Sequence, residues 1–410
     1  RRSSRAGDSR ATGVDALAAN LHTLRSGKGT IEPHMKIFRV FPAEENTAEC
    51  LVLVDILKTN GASRTQINAT WSCKWRLTPD QPPLLSSIVL TSYEEITQTA
   101  DPRPLFADAT RSILGQDTAY RDQFLHSSDH WRSRLPRELG LDPVANHGLA
   151  IGDINGDDLD DLYVCQQGGL PNRMFLQNPD GTLKDITQSS GTGWLEYCAA
   201  ALLVDLDNDG DRDLIVSQDF RVMIMANNGQ GAFTLAFGSS TKAQSFSLAA
   251  ADYDNDGDLD LYVANYMEFT PADNKQCLAG EVPIYCGPTT YPGQAGVLYR
   301  NENDRLFTDV TRDAGLLNAS GRQLAAVFGD YDNDGDADLF VANDKRPNFL
   351  FVNQGNGAFI EEGDLAGVAF NGEGVAESAM GADWGDYNND GRLDIIVSTF
   401  QWETNTLYHN

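Results

Sequence analysis

The chain has 410 residues, 41% of them apolar, and its 59 acidic and 31 basic side chains give a formal charge of −28. This length and apolar content allow a large core and more than one domain. A chain this acidic is poorly suited to binding nucleic acid, because Lys and Arg bind the phosphates. No segment of the sequence approaches the roughly 20 consecutive apolar residues of a membrane helix.

Residues 1–30 are predicted to form a basic arm followed by a short helix. The first ten residues, RRSSRAGDSR, contain four arginines and little apolar content. This composition is typical of a disordered terminus, and docking to a partner is the alternative. Apolar residues between Val14 and Leu24 then recur at helical spacing, which predicts a short amphipathic helix.

Residues 31–98 are predicted to form a small antiparallel sheet. From Gln66 to Leu77 polar and apolar residues alternate, and a period of two indicates a strand with one buried face. Further strands are expected at 35–41, 49–57 and 86–93. The pattern resembles the sheet half of an NTF2-like α+β domain. Residues 99–147 are expected to be a linker with some helix.

Residues 148–410 are organised around a loop motif that occurs five times. The copies are DINGDDLDDLYV from Asp153, DLDNDGDRDLIV from Asp205, DYDNDGDLDLYV from Asp252, DYDNDGDADLFV from Asp330 and DYNNDGRLDIIV from Asp386. They share Asp at position 1, Asp or Asn at 3, Asp at 5 and Asp at 9, and four of them have Gly at 6. Hard oxygen ligands around a tight turn suit Ca²⁺, so up to five calcium ions are predicted.

The loop is distinct from an EF-hand, although both begin D-x-[DN]-x-[DN]-G. An EF-hand needs a bidentate Glu at position 12 and a helix on either side. Here position 12 is valine in every copy, and the run that leads to it is β-branched, aromatic or aliphatic. Because such a run indicates a strand, the loop is predicted to join two strands.

The spacing between copies, 52, 47, 78 and 56 residues, predicts a β-propeller, since a four-stranded blade needs about 40–50 residues. Two further elements recur after the loops, one like VLYRN at 297–301 and one like FTDVT at 307–311. The predicted fold is therefore mainly β, with five visible four-stranded blades after a small α+β domain. FADAT at 106–110 is expected to be the strand that completes the last blade.

The loops resemble the FG-GAP/VCBS repeats of integrin α-subunit-type propellers, over roughly residues 106–410. YCGP at 285–288, LYRN at 298–301 and FTDVTRDAGL at 307–316 are similar to the cartilage acidic protein and ASPIC/UnbV group. The resemblance implies that side chains at positions 1, 3, 5 and 9 and the backbone carbonyl at position 7 hold the ion. The implied ligands are Asp153, Asn155, Asp157, Leu159 and Asp161; Asp205, Asp207, Asp209, Asp211 and Asp213; Asp252, Asp254, Asp256, Asp258 and Asp260; Asp330, Asp332, Asp334, Asp336 and Asp338; and Asp386, Asn388, Asp390, Arg392 and Asp394.

Two copies depart from this pattern. The first has Asp158 in place of the glycine at position 6, and Asp tolerates a left-handed backbone better than most residues. The fifth has Asn388 at position 3 and Arg392 at position 7, which leaves three carboxylates beside a cation. Because the number of charged ligands tunes calcium affinity, the fifth site is expected to bind most weakly.

Six cysteines are an even number, which fits an oxidising compartment. We therefore expect an extracellular, cell-surface or periplasmic location. Cys277 and Cys286 lie in the long insertion 265–296, and the resemblance around YCGP supports a disulfide between them. Weaker candidate pairs are Cys165 with Cys198 and Cys50 with Cys73. The alternative for these four is burial as small hydrophobic side chains.

The sequence shows no arrangement of residues typical of a known catalytic site. His126 and His130 are four apart, but a zinc-protease motif needs Glu directly after the first histidine, where Ser127 stands. G-x-S-x-G, Walker A and dinucleotide-binding motifs are absent. Calcium also favours the ionised form of its aspartate ligands, which makes them poor general acids.

Three functions are compatible with the sequence. The first is a non-catalytic, calcium-stabilised interaction or adhesion module that binds protein or glycan through propeller-face loops and the insertion 265–296. The insertion carries Tyr266, Met267, Phe269, Tyr285 and Tyr291, although these aromatic and apolar side chains could instead pack on the propeller. The second is a polysaccharide lyase, because some calcium propellers with similar repeats are lyases. The third is a structural subunit of a homo- or hetero-oligomeric extracellular assembly.

Overall fold

The computed structural model describes residues 2–3, 30–42, 46–60, 63–78, 81–98, 107–127, 130–131, 133–134, 148–218, 220–241, 243–268, 275, 277–279, 282–284, 286–302, 306–317, 321–400 and 403–410. The chain divides into two compact units, Arg1–Asp108 and Ala109–Asn410. None of the helices in these residues is long and apolar enough to span a membrane.

The first unit contains one antiparallel sheet with the strand order β1-β5-β4-β3-β2. Its strands are β1 Arg2–Ser3, β2 Thr30–Pro42, β3 Thr47–Asn60, β4 Ser63–Arg76 and β5 Leu84–Gln98. Alternate residues of the central strands are buried, as a period of two predicts: Cys50, Val52, Val54 and Ile56 on β3, and Ile67, Ala69 and Cys73 on β4.

Three expectations for this unit have different outcomes. The strands are longer than the runs predicted from sequence, and together they span most of residues 30–98. Arg2 and Ser3, placed in a disordered arm by the sequence, pair with Ile96 and Glu95 of β5. The helix expected between Val14 and Leu24 lies outside the described residues, so the NTF2-like assignment stays a prediction.

In the described residues of the second unit, five antiparallel sheets follow one plan. The first is formed by β6 Leu149–Gly152, β7 Asp161–Val164, β8 Arg173–Gln177 and β9 Leu183–Asp185, and the second by β10 Cys198–Val204, β11 Asp213–Gln218, β12 Arg221–Asn227 and β13 Phe233–Ser240. The third is formed by β14 Ala243–Ala251, β15 Asp260–Glu268, β18 Val297–Asn301 and β19 Phe307–Asp309, with a separate hairpin of β16 Cys277–Ala279 and β17 Val282–Ile284. The fourth contains β20 Gln323–Gly329, β21 Asp338–Asn343, β22 Phe349–Asn353 and β23 Phe359–Glu361, and the fifth β24 Ala379–Gly385, β25 Asp394–Thr399 and β26 Thr406–Tyr408.

The mainly β architecture and the repeated four-stranded sheets agree with the sequence prediction. Each aspartate loop connects the first and second strands of its sheet, and position 9 is the first residue of the second strand. The loop therefore lies at the same corner of every sheet.

The fifth sheet differs from the other four because it has three strands among the described residues. The sequence placed its fourth strand at 106–110. Residues 107–109 lie in no strand, and Thr110 begins an α-helix, Thr110–Leu114. The strand prediction is wrong for these residues, because the backbone turns into a helix at Thr110.

Two short helices in the predicted linker pack on the first sheet of the second unit. The helix Thr110–Leu114 is followed by a π-helix, Tyr120–Phe124. Leu114 and Ala119 are buried with Val164 and Phe175 of the first sheet. The Gln123 side chain donates to the Pro171 carbonyl at 2.9 Å and accepts from the Arg173 guanidinium at 2.9 Å.

Neighbouring sheets pack against each other in chain order. Separate hydrophobic clusters lie between the first and second sheets, the second and third, the third and fourth, and the fourth and fifth. Between the second and third, for example, Ile215 and Ile224 pack with Leu261 and Tyr299. Among the described residues no such cluster joins the fifth sheet to the first. The second unit is thus a series of sheets stabilised by apolar packing between consecutive members.

The insertion in the third sheet contains the disulfide Cys277–Cys286, as expected. The other four cysteines are free and buried, so the weaker disulfide candidates are wrong: Cys50, Cys73, Cys165 and Cys198.

The predicted docking surface on this insertion is only partly described, and its two described tyrosines are not available to a partner. Tyr266 and Tyr291 are each only 6% exposed. The Tyr266 hydroxyl donates to Asp344 at 2.6 Å, and the Tyr291 hydroxyl accepts from the backbone of Lys275 at 3.2 Å. Their rings pack within the second unit because burial of aromatic area is favourable. Phe269 and Tyr285 lie outside the described residues.

Candidate metal centres

The five aspartate loops share a backbone conformation that only certain residues adopt easily. Position 4 is left-handed in each loop, with Asn255 at φ 59° and Gly156 at φ 74°. Position 6 is left-handed as well, with Gly257 at φ 95°. Asp158, the exception to glycine at position 6, has φ 64°, so the expectation that Asp preserves this turn is confirmed.

The aspartate at position 1 organises the turn through its own carboxylate. In the third loop Asp252 accepts the backbone N–H of Asp256 at 3.0 Å on one oxygen and that of Gly257 at 3.0 Å on the other. Asp330 and Asp386 accept the same two N–H groups in their loops. These bonds pull the turn around the carboxylate and bring positions 3 and 5 close to it.

In the second, third and fourth loops the structure brings together three of the predicted carboxylate ligands. In each set, one carboxylate oxygen from each of three residues lies within 4.8 Å of the others. The sets are Asp205, Asp207 and Asp209; Asp252, Asp254 and Asp260; and Asp330, Asp332 and Asp338. Such convergence of acidic oxygens is unfavourable unless a cation compensates it.

Unsatisfied oxygens provide an independent test of whether a cation fits. Oδ1 of Asp205 and Oδ1 of Asp254 are buried and have no hydrogen-bond partner among the described residues. A buried carboxylate oxygen without a donor is costly. Both atoms belong to the converging sets, and Ca²⁺ binds oxygen ligands of this kind. The residues present therefore fit a calcium ion in the second and third loops.

The raised pKa values of two position-9 aspartates agree with this geometry. Burial, together with the nearby charges of Asp254 and Asp256, raises the pKa of Asp260 to about 7. Burial and the charges of Asp332 and Asp334 raise the pKa of Asp338 to about 6. Protein groups alone thus compensate the negative charge of these two aspartates poorly.

The first and fifth loops are arranged differently, because asparagine stands at position 3. Its amide donates to the position-5 carboxylate, Asn155 to Asp157 at 3.1 Å and Asn388 to Asp390 at 2.8 Å. In these two loops the predicted ligand at position 5 therefore accepts a hydrogen bond from the predicted ligand at position 3. Neither loop provides three converging acidic residues among those described.

The aspartate at position 9 has a structural role that sequence reasoning missed. In the third loop Asp260 is fully buried; Oδ2 accepts the N–H of Tyr253 at 3.2 Å and Oδ1 that of Asn301 at 2.8 Å. Every loop repeats both bonds, so this carboxylate joins the loop to the end of the third strand.

The asparagine that ends the third strand connects neighbouring sheets. Nδ2 of Asn353 donates to the carbonyl of Tyr253, in the loop of the preceding sheet, at 2.7 Å and to that of Ala337 in its own loop at 3.2 Å. Equivalent inter-sheet bonds are made by Asn227 to Ile154, Asn301 to Leu206 and Asn410 to Tyr331. The final Asn that recurs in the LYRN-type elements was the available signal in the sequence.

We expect Asn353→Ala to lower the free energy of unfolding by about 1–3 kcal/mol, because it leaves the buried carbonyl of Tyr253 and the partly buried carbonyl of Ala337 without this donor. Gln354→Ala is the matched control: Gln354 is the next residue, is exposed, and among the described residues its side chain bonds only to the carbonyls of Val352 and Asn353. It should change stability by less than about 0.5 kcal/mol. Urea unfolding of both variants measures the difference, and equal effects would contradict the inter-sheet role.

Comparison with known proteins gives matches over most of the second unit. The family model of the FG-GAP-like repeat matches residues 153–216, 205–263, 284–341 and 330–397. The FG-GAP repeat model matches residues 246–285.

Among curated proteins, the chain is 25% identical to cartilage acidic protein 1 of Xenopus tropicalis over 318 residues, which cover 72% of this chain and 43% of that protein. It is 28% identical to cartilage acidic protein 1 of Mus musculus over 301 residues, or 65% of this chain and 42% of that protein. The chain thus spans about two fifths of the length of these relatives.

Among solved structures, a lectin of Agrocybe aegerita that recognises non-reducing terminal N-acetylglucosamine aligns with 90% of this chain and 75% of its own. The sequence identity is 14% and the TM-score 0.35.

Proposed function

The chain belongs to the FG-GAP-like repeat family, as its loops predicted, and on this premise we propose that it is a non-catalytic, calcium-binding interaction module. The observation that carries the proposal is the pair of orphaned oxygens in converging carboxylate sets, Oδ1 of Asp205 and Oδ1 of Asp254. A calcium ion would supply the positive charge that these oxygens lack.

The proposed ligands in the second, third and fourth loops are the side chains at positions 1, 3, 5 and 9 and the backbone carbonyl at position 7. The structure supports these three sites most strongly, because their acidic oxygens already converge. The first and fifth loops would bind more weakly, since their position-5 carboxylates are engaged by asparagine. In the fifth loop Arg392 adds an unfavourable positive charge.

We also propose that the stacked sheets are blades of a β-propeller. Support comes from the packing of consecutive sheets and from the inter-sheet bonds that asparagine makes at each step, as from Asn301 to Leu206. Among the described residues β26 is an edge strand of the three-stranded fifth sheet, and a fourth strand would add at this edge. Closure of the ring is part of this proposal.

The proposed partner is a protein or glycan that is located outside the cell or at its surface. The disulfide Cys277–Cys286 supports an oxidising compartment. Calcium-bound aspartates stay ionised and unsuited to proton transfer, which favours binding over catalysis at these loops. With the described tyrosines of the insertion buried, the exposed corners that carry the aspartate loops are the better candidate surface.

Metal counting tests the calcium proposal directly. After equilibration with calcium and rapid gel filtration, the purified chain should retain about three equivalents, with further binding only at higher concentration. Asp205→Asn should lower the retained number by about one, because it removes a charged ligand of the second loop. A parent chain that retains no calcium would disprove the proposal.

A further inference from the structure

Successive aspartate loops are joined by the asparagine at position 4. Asn208, Asn255 and Asn333 occupy this position in the second, third and fourth loops, each with a left-handed backbone and an exposed side chain. None of them is a predicted calcium ligand. Each side chain instead extends to the loop of the following sheet.

The acceptors lie at positions 6 and 7 of the following loop. Nδ2 of Asn208 donates to Oδ1 of Asp258 at 2.8 Å and to the carbonyl of Gly257 at 3.2 Å. Nδ2 of Asn255 donates to Oδ1 of Asp336 at 2.7 Å. Both carboxylates are at position 7, the residue whose backbone carbonyl is the proposed fifth ligand.

The hydrogen bond from position 4 is weaker where the fourth loop contacts the fifth, and the first loop has no side chain to make it. In the part of the chain that the structure describes, the Asn333 amide donates only to the carbonyl of Gly391, at 3.4 Å, because Arg392 replaces the aspartate at position 7. The first loop has Gly156 at position 4 and therefore no amide to donate. Asn389, the equivalent residue of the fifth loop, makes no inter-loop bond among the described residues.

We propose that the second, third and fourth loops bind calcium cooperatively through these asparagines, an inference that rests on the proposed calcium function. Asn255 lies between two proposed ligands, Asp254 and Asp256, so calcium in the third loop fixes its backbone. The fixed amide then holds Asp336 and the turn that presents the fourth loop's ligands. The ion that binds the fourth loop therefore binds a loop that has already lost part of its conformational freedom.

The test is a calcium titration of the full chain, with the number of bound ions measured in the same experiment. The parent should show a Hill slope above 1. Asn255→Gly removes the amide but keeps the left-handed backbone, and it should reduce the slope and weaken half-saturation by about fivefold. Asn255→Asp should weaken binding further, because it places a carboxylate against Asp336.

Asn389→Gly is the matched control, with the same residue type, the same position in its loop and the same backbone region. It should leave slope and half-saturation unchanged. Equal shifts for Asn255→Gly and Asn389→Gly, or a parent slope of 1 with several ions bound, would overturn the coupling while leaving the calcium sites intact. A parent that binds no calcium would overturn both proposals.

Discussion

Removal of calcium with a chelator should lower the melting temperature of the second unit by about 10 °C or more. Each ion bound only by the folded chain contributes about 2.7 kcal/mol at a calcium concentration 100 times its dissociation constant. In a domain of roughly 150–250 residues 1 kcal/mol shifts the melting temperature by about 2–4 °C, and in the larger second unit the shift is somewhat smaller. The three converging carboxylate sets should therefore give a large combined shift.

Calorimetry is the suitable measurement, because two units can unfold in separate transitions. The first unit carries none of the aspartate loops, so any transition that belongs to it should be insensitive to the chelator. Magnesium at the same concentration is the control for ionic strength, since it prefers octahedral sites and keeps its waters. A melting profile that is identical with calcium and with chelator would contradict the proposed sites.

Asp254→Asn and Asp260→Ala should separate calcium binding from the structural role of the loop. Oδ1 of Asp254 has no hydrogen-bond partner among the described residues, and burial followed by the charge of Asp256 raises its pKa. Replacement by the isosteric amide removes a poorly compensated charge. In chelator, Asp254→Asn should therefore be at least as stable as the parent. In calcium it should lose the contribution of one site, about 2–3 kcal/mol.

Asp260→Ala should be destabilising in both conditions, by about 3–5 kcal/mol. It leaves the buried N–H groups of Tyr253 and Asn301 without an acceptor, and it removes a fully buried side chain. Chemical unfolding of both variants and the parent, in calcium and in chelator, gives the change in unfolding free energy for each variant in each condition. If Asp254→Asn were equally destabilising in chelator, its carboxylate would have a structural role that the geometry does not show.

Much of the repeat architecture was predictable because it is encoded in short segments. The position of each loop, the strands on either side and the left-handed turn at Asp158 depend on neighbouring residues alone. The disulfide Cys277–Cys286 spans nine residues and was also expected. Where packing decides, the sequence was a weaker guide: it left the insertion's aromatics either exposed or packed, and Tyr266 and Tyr291 are buried. The strand predicted at 106–110 was wrong for its described residues, because 107–109 lie in no strand and Thr110 begins a helix.

By itself the sequence determined that acidic loops recur, that each connects two strands, and at which loop positions the carboxylates stand. Tertiary structure decided which groups of one loop contact the next sheet. The bond from Asn353 to Tyr253 joins residues 100 apart in the chain, and that from Asn255 to Asp336 joins residues 81 apart. Only the stacking of one sheet on the next brings these groups within hydrogen-bond distance, because a side chain of this size spans a few ångströms and no local pattern specifies a partner so distant in sequence.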